Sequence, residues 1–368
     1  MRAAILDTFF MERALQLAAR GLGRTRPNPV VGAVIVRDDK IVGEGWHLKA
    51  GEAHAEVLAL EAAGDKAIGA TLYINLEPCA HQGRTPPCAP ALVDAKLDRV
   101  VVGMVDPDER VAGKGIEILR QAGVTVSMAD PDSAQRCREM NRFYLRRLRS
   151  GRPFLTLKFA STLDGKLATK SGHSRWITGP ESRRWVHRQR DVHDAILVGI
   201  NTVLTDDPEL TARDPEGRTP VKIVVDSLGR LPARARLFDQ CEEGVIVLTT
   251  SRGQERAREL PVEVIVSDGL DGRVELGQAF KELANRGLTS VLAEGGATLN
   301  YALLHAGLVD RVAAFVAPKL VGGSEAPTAV GGLGVESLDQ GWELQDVGWK
   351  LMGHDLLVEG YLAIPWEG

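Results

Sequence analysis

Apolar and polar positions along this chain recur with two periods, and the switches between them mark out its elements. From Thr8 to Arg20 the residues Phe10, Met11, Ala14, Leu15, Leu17 and Ala18 fall at helical spacing, which predicts an amphipathic first helix. After Pro27-Asn28-Pro29, the run from Val30 to Val36 reads as a buried strand closed by a turn at Asp38-Asp39, with Ile41 to Trp46 as its hairpin partner. An Ala- and Leu-rich helix opened by His54 and Glu56 extends to about Ala63, and a strand over Thr71 to Leu76 ends at Glu77-Pro78-Cys79. Next come a helix near Ala89 to Ala95, a strand over Arg99 to Gly103, a helix over Gly113 to Ala122 and a strand over Val124 to Ser127. Helices alternating with strands predict an α/β/α layered domain.

Ser133 to Arg149 reads as one more helix, which Ser150-Gly151-Arg152-Pro153 ends, so the domain boundary is placed there, giving domains 1–149 and 150–368. The pattern then restarts with a strand over Phe154 to Ala160 carrying Lys158, and a turn at Ser161 to Gly165. Further strands are expected at Ala195 to Gly199, Val221 to Asp226, Gly244 to Thr249, Glu263 to Val266, Ser290 to Ala293 and Arg311 to Pro318. The second half is thus also α/β, with more strands than helices.

A length of 368 residues fits two domains, and 44% hydrophobic with 26% charged residues is the composition of a globular protein. The balance of 45 basic against 49 acidic residues, a net −4, gives no general attraction to nucleic acid. The basic run from Arg136 to Arg152 reads as a solvated helix face. There is no apolar window of about 18 residues to span a membrane, and the N-terminus lacks a signal-peptide pattern, so a cytoplasmic location is expected. Four cysteines do not make a disulfide framework; Cys137 and Cys241 read as plain thiols.

The remaining two cysteines change the picture. His54, Cys79 and Cys88 supply the three nitrogen and sulfur ligands of a catalytic zinc, which leaves its fourth position to water. Water so placed ionises near pH 7, and Glu56, two residues from a ligand, would carry its proton. His-x-Glu followed by Pro-Cys is the pattern of zinc nucleobase deaminases, where the Glu is the general acid and base. Here eight residues separate the cysteines instead of two, and Gly83 and Pro86-Pro87 suit a bulging turn. A structural zinc site with His81 as fourth ligand is the alternative.

In the second half, an apolar strand runs into Glu294-Gly295-Gly296 and then a helix, a place where backbone amides and glycine would admit a phosphate. A plain tight turn has the same pattern, and the absence of G-x-G-x-x-G disfavours a Rossmann domain. The segment Gly199 to Pro208 offers hydroxyl, amide and carboxylate groups, although Asn, Thr and Asp also serve as simple caps. Arg190 and Arg213 on either side would clamp an anionic substrate through bidentate bonds.

Taken together, Pro27-Asn28-Pro29, Gly43-Glu44-Gly45, Gly51 to Glu56, Glu77-Pro78-Cys79 and Gly83 to Cys88 resemble the bifunctional deaminase/reductase family of riboflavin biosynthesis. The likeness continues in the second half through Leu163-Asp164-Gly165, Ser174 to Thr178, Asp206-Asp207-Pro208, Asp226-Ser227 and Glu294-Gly295-Gly296, in the family's order. The resemblance implies a cytidine-deaminase-like domain followed by a dihydrofolate-reductase-like domain. It implies zinc and NADPH as cofactors and a phosphoribosyl pyrimidine as the small-molecule substrate, deaminated and then reduced at its ribose. It further implies Asn28, His47 and Arg84 as substrate contacts in the deaminase pocket. In the reductase half, Ala160, Trp176, Thr202, Asp206, Ser227 and the segment Gly296, Ala297, Thr298, Leu299, Asn300, Tyr301 and Ala302 match cofactor positions. Ser174, Arg190, Leu210, Arg213 and Glu294 match substrate positions, and Lys158 joins them, placed with Asp206 near the hydride transfer. No nucleic-acid or membrane partner is expected, and a homo-oligomer is. A tRNA or nucleoside deaminase would share the zinc chemistry without the second domain, and a nucleotide-binding protein would share the second half without turnover.

Overall fold

In the computed structural model, which describes residues 2–83, 86–213 and 217–366, Asp38 and Asp39 both take left-handed backbone angles, φ 51° and 57°. That is what a two-residue hairpin turn of type I′ needs, and it folds β1 (Gly32–Arg37) back against β2 (Lys40–Trp46). The other edge of β1 pairs antiparallel with β3 (Thr71–Ile74), and β4 (Arg99–Val102) and β5 (Thr125–Met128) extend the sheet in parallel, in the order β2-β1-β3-β4-β5. Successive strand residues face opposite sides. Ala33 and Ile35 of β1 join a buried cluster with Ala55, Ala59, Leu92, Ile116 and Leu119, from α2 (Ala55–Ala63), α3 (Cys88–Asp94) and α4 (Lys114–Gln121). Gly32, on the opposite face, abuts α1 (Arg2–Ala18), where a Cβ would lie 2.1 Å from the Ala14 carbonyl. Two helical layers therefore enclose the sheet, as the alternating pattern implied.

The single helix expected over Ser133 to Arg149 is instead two, α5 (Pro131–Met140) and α6 (Arg142–Ser150). Asn141 interrupts them because its side-chain oxygen accepts the main-chain N–H of Val30 at 2.9 Å, a tertiary bond that an uninterrupted helix would not place.

The chain divides into two units, Met1–Ser150 and Gly151–Gly368. The second carries β6 (Phe154–Thr162), β7 (Ala195–Gly199), β8 (Val221–Val225), β9 (Val245–Thr249), β10 (Glu263–Val266), β11 (Ser290–Ala293), β12 (Arg311–Ala317), β13 (Gln345–Met352) and β14 (Asp355–Tyr361). Its helices are α7 (Pro180–Val192), α8 (Ile200–Asp206), α9 (Gln254–Arg258), α10 (Leu276–Asn285) and α11 (Ala297–His305). One nine-stranded sheet results, ordered β10-β9-β8-β7-β11-β6-β12-β14-β13. The first seven strands in that order are parallel, and the closing hairpin β13–β14, absent from the expected elements, is antiparallel. Alternation again divides the core: Leu197 packs with Phe280 and Leu303 on one face, while Ile196 and Val198 pack with Ile200 and Val203 on the other. Asp310, fully buried, is gripped by both Nη atoms of Arg152 at 2.8 Å and accepts the N–H of Leu155, fixing β12 beside β6. No helix among the described residues is long and apolar enough to cross a membrane.

Candidate active sites

His54 sits at the N-cap of α2, Cys88 is the first residue of α3, and Cys79 lies in the loop after β3. Nδ1 of His54 lies 3.2 Å from Sγ of Cys88 and 3.6 Å from Sγ of Cys79. Ligand bonds of about 2.3 Å to sulfur and 2.0 to 2.1 Å to nitrogen at tetrahedral angles would put these atoms about 3.5 Å apart, so the donor set fits zinc. Among the described residues these three form the group able to hold a metal, and His81 is not part of it; the structural four-ligand alternative therefore has no fourth donor. The main-chain N–H of Cys88 donates to Sγ of Cys79 at 3.3 Å. Hydrogen bonding from Cys88 pulls the Cys79 thiol down toward the thiolate that a metal requires, while hydrogen bonding to Cys79 and burial push Cys88 up. Hydrogen bonding to Cys79 raises His54.

Glu56, 3% exposed, stands in the first turn of α2. Burial pushes its carboxyl up to about 7, helped by Cys79 and opposed by His54, which suits proton transfer near neutral pH. A cavity of about 500 Å³ opens over it, lined also by Asn28, His47, Cys79, His81, Asp106, Tyr144 and Arg147. His47 is buried, and burial lowers its pKa, favouring the neutral ring. Its Nδ1 donates to the Ala53 carbonyl at 3.2 Å and its Nε2 accepts from the Asn28 amide at 3.1 Å, holding Asn28 in place at the cavity wall. Glu77 anchors the ligand loop from behind: its buried carboxylate accepts the N–H groups of Asp106, Gly113, Gly115 and Ile116 at 2.9 to 3.3 Å.

A second cavity, of about 820 Å³, lies in the second unit at the C-terminal ends of β6, β7 and β11. Arg190 and Glu294 form a two-bond ion pair across it, Nε to Oε1 at 2.8 Å and Nη2 to Oε2 at 2.9 Å. Burial alone would raise the Glu294 carboxyl, but the charge and hydrogen bonds of Arg190, with Lys158 behind them, hold it down at about 2. Burial lowers the Lys158 ammonium. The wall after α8 carries three non-glycine residues in left-handed conformation, Asp207, Leu210 and Arg213, with φ 40°, 58° and 54°. Such angles cost on the order of 1 kcal/mol or more each and collect where a surrounding frame enforces them. Arg213 is half exposed and pairs loosely with Glu209 at 3.9 Å. Trp176, 59% exposed, has the guanidinium of Arg183 stacked 4.5 Å from its ring centre.

Residues 5–104 match the model of the cytidine and deoxycytidylate deaminase zinc-binding region, and residues 153–358 match that of the RibD C-terminal domain. The riboflavin biosynthesis protein RibD of Synechocystis sp. is 43% identical over 363 residues, covering 98% of this chain and 97% of its own. The chain belongs to the RibD family. RibD of Acinetobacter baumannii superposes on it with a TM-score of 0.85 at 38% identity, over 98% of this chain and 99% of the other. A Thermotoga maritima structure described as a diaminohydroxyphosphoribosylaminopyrimidine deaminase/5-amino-6-(5-phosphoribosylamino)uracil reductase gives 0.88 at 35% identity, with the same coverage. A RibD chain is a bifunctional enzyme of riboflavin biosynthesis, a zinc-dependent deaminase joined to an NADPH-dependent reductase.

Against this RibD frame, the first cavity gathers Asn28, His47, His54, Glu56 and Cys79, with Cys88 closing the metal group; Arg84 lies outside the described residues. The second cavity gathers Lys158, Ala160, Ser174, Trp176, Arg190, Thr202, Asp206, Leu210, Arg213, Glu294, Gly296 and Ala297. Ser227 is not on its wall, because its hydroxyl is turned to accept the N–H of Val274. Thr298 to Ala302 do not line it either. Helix α11 points Leu299 into the core, buries Asn300 on the Ala329 carbonyl and stacks Tyr301 on His305, and only its first turn reaches the cavity. The bidentate clamp expected of Arg190 is spent on Glu294, which leaves Arg213 as the looser cation. Glu77 lies within Glu77-Pro78-Cys79, and Tyr144 and Arg147 within the basic run, patterns that assign none of the three a role by spacing alone.

Proposed function

We propose that residues 1–149 deaminate 2,5-diamino-6-(5-phosphoribosylamino)pyrimidin-4(3H)-one, and that residues 150–368 then reduce the ribosyl side chain of 5-amino-6-(5-phosphoribosylamino)uracil to ribityl. The observation that carries this reading is the triangle of His54, Cys79 and Cys88 at tetrahedral-edge spacing beneath a cavity holding the buried Glu56. Zinc bound there acidifies water to a pKa near 7. Glu56 would take one proton from the attacking water and pass it to the ring nitrogen, then carry the second, from the hydroxyl of the resulting adduct, to the departing amine. The ring carbon gains the oxygen and loses nitrogen as ammonia. Asn28, set by His47, and Arg84 orient the substrate.

In the reductase half, NADPH supplies the hydride. Gly296 and Ala297 at the start of α11, with Trp176, Thr202, Asp206 and Ala160, hold the cofactor, the helix N-terminus favouring its phosphates. Ser174, Leu210 and Arg213 hold the substrate beside the Arg190–Glu294 pair. Lys158, on the wall of the same cavity and with its ammonium weakened by burial, would give a proton to the ribose oxygen as the ring opens.

A reducing cytoplasm suits the two thiol ligands, and a net charge of −4 speaks against nucleic acid as substrate. The chain is further proposed to associate with copies of itself, an idea supported by the exposed apolar side chains Trp349 and Leu351 on the edge strand β13.

The test is NADPH oxidation by the zinc-loaded chain given the diaminopyrimidine, wild type against Glu56→Ala. The variant is expected to keep its zinc and lose ammonia release by a factor on the order of 10² or more, yet to oxidise NADPH at the wild-type rate when given the aminouracil. Ammonia release at the wild-type rate from the variant would remove Glu56 from its role. If wild type oxidises no NADPH with either compound, the reductase assignment is wrong.

A further inference from the structure

Helix α6 carries four arginines in nine residues, Arg142, Arg146, Arg147 and Arg149. It is not simply a solvated basic face. Tyr144, Arg147 and Leu148, at i, i+3 and i+4, share one side of the helix, and all three line the cavity above the metal ligands. Tyr144 is fixed by donating its hydroxyl to Asp106 Oδ1 at 2.9 Å, which settles the rotation of this side toward the cavity.

Among the described residues two guanidinium groups line that cavity, and their circumstances differ. Arg110 is committed: Nε and Nη2 both bond to Asp108, at 2.5 to 3.1 Å. Arg147 has a buried Nε without a hydrogen-bond partner, and it forms no ion pair among the described residues. A buried donor with no acceptor is the exception in folded proteins, and on a cavity wall it marks the place where a ligand supplies one. Of the carboxylates at the same wall, Asp106 already accepts from Tyr144 and from the N–H of Asp108, and Asp108 is held by Arg110. The group left facing the cavity is a guanidinium with a free Nε donor, whose charge and planar fork suit a phosphate better than a sugar hydroxyl or a base edge.

We propose that Arg147 binds the 5'-phosphate of the deaminase substrate and sets the preference for the phosphorylated compound over the same compound without phosphate. The inference rests on the deaminase reading of this cavity. It makes Arg147 a specificity-determining residue, with the pyrimidine at the metal ligands and the phosphate against α6.

The experiment compares ammonia release from the phosphoribosyl diaminopyrimidine and from its dephosphorylated form, using the full zinc-loaded chain as wild type, Arg147→Met and Arg147→Lys. For Arg147→Met the KM for the phosphorylated compound is expected to rise about 10- to 100-fold, the worth of a charge-assisted hydrogen bond, with kcat nearly unchanged. Turnover of the dephosphorylated form should not move. Arg147→Lys, which keeps the charge without the fork, should fall between. Unaltered discrimination in Arg147→Met, at wild-type zinc content, overturns the proposal, as does discrimination lost in Arg84→Met but kept in Arg147→Met. Calorimetric titration with ribose 5-phosphate separates the two readings. If wild type releases no ammonia, the deaminase reading fails, while a class of ribose 5-phosphate binding present in wild type and missing in Arg147→Met still upholds the anion site, and its persistence in the variant still refutes it.

Discussion

Burial acts on Glu56 and on Glu294 in the same direction, yet one carboxyl stands at about 7 and the other at about 2. The difference is the guanidinium of Arg190, which meets Glu294 through two short hydrogen bonds, whereas Glu56 has no such partner. One carboxyl is thereby poised to exchange a proton, and the other is locked as an anion that shapes the reductase cavity. The locked group carries a stability cost in acid. Its folded pKa lies below the ordinary value of 4.5, so the stabilisation is complete above about pH 4.5 and is lost as pH falls toward 2. The shift is worth on the order of 3 kcal/mol. Urea unfolding followed by tryptophan fluorescence, which reports mainly the second unit because Trp46 alone of the six tryptophans lies in the first, should show this loss in wild type. Glu294→Gln should start lower at pH 7, with Arg190 left buried and unpaired, and lose less between pH 4.5 and 3. Parallel acid limbs for the two proteins would refute the assignment.

At the scale of elements, the deaminase half depends on how closely α2 approaches the hairpin. Gly43 and Gly45 of β2 pair with Ile35 and Ala33, and a Cβ on either would fall 2.2 or 2.3 Å from the Ala59 or Ala55 carbonyl. Gly45→Val is therefore expected to push away the first turn of α2, which carries His54 and Glu56, and to lower bound zinc and deamination together while leaving reduction of supplied aminouracil intact. Full zinc content in that variant, by metal analysis, would mean the helix start moves freely. The motif Gly43-Glu44-Gly45 was visible in the sequence, but its reason, a carbonyl arriving from another element, was not. The metal ligands were legible because His54 and Glu56 share one helix start and Cys79 follows a strand end. The break at Asn141 was not, since its cause is the N–H of Val30, 111 residues away. Arg147 was hidden for a related reason: the spacing of charges on α6 is the same for a solvated face as for a cavity wall. In the reductase half, the strands Phe154–Ala160 and Ser290–Ala293 were legible from their apolar-rich composition, Thr156 and Lys158 notwithstanding. The contact set was harder, because a helix start and the rest of that helix look alike in sequence, and only Gly296 and Ala297 of the segment reach the cavity.

At the scale of the molecule, the second unit ends its nine-stranded sheet in an edge that is poorly protected. On β13 the alternate residues Val347, Trp349 and Leu351 are 42%, 67% and 74% exposed, and Leu356, paired with Leu351 across the hairpin, adds 38%. Edge strands are usually shielded by charge, proline or a covering element, and a contiguous apolar patch on a folded chain marks an association surface. This also explains why β13 escaped the hydrophobic pattern: Val347, Trp349 and Leu351 face away from the unit's own core, so their alternation does not report burial there. A second copy of the chain, offering the same patch about a two-fold axis, would cover both edges at once. Trp349→Glu places a charge in the middle of that patch and is expected to weaken self-association by about 30-fold or more, the loss of a central aromatic anchor. Sedimentation velocity over a concentration series should show wild type as a dimer or larger where the variant sediments as a monomer. A wild type that stays monomeric at the highest concentration, or a variant with an unchanged profile, would refute self-association through this strand.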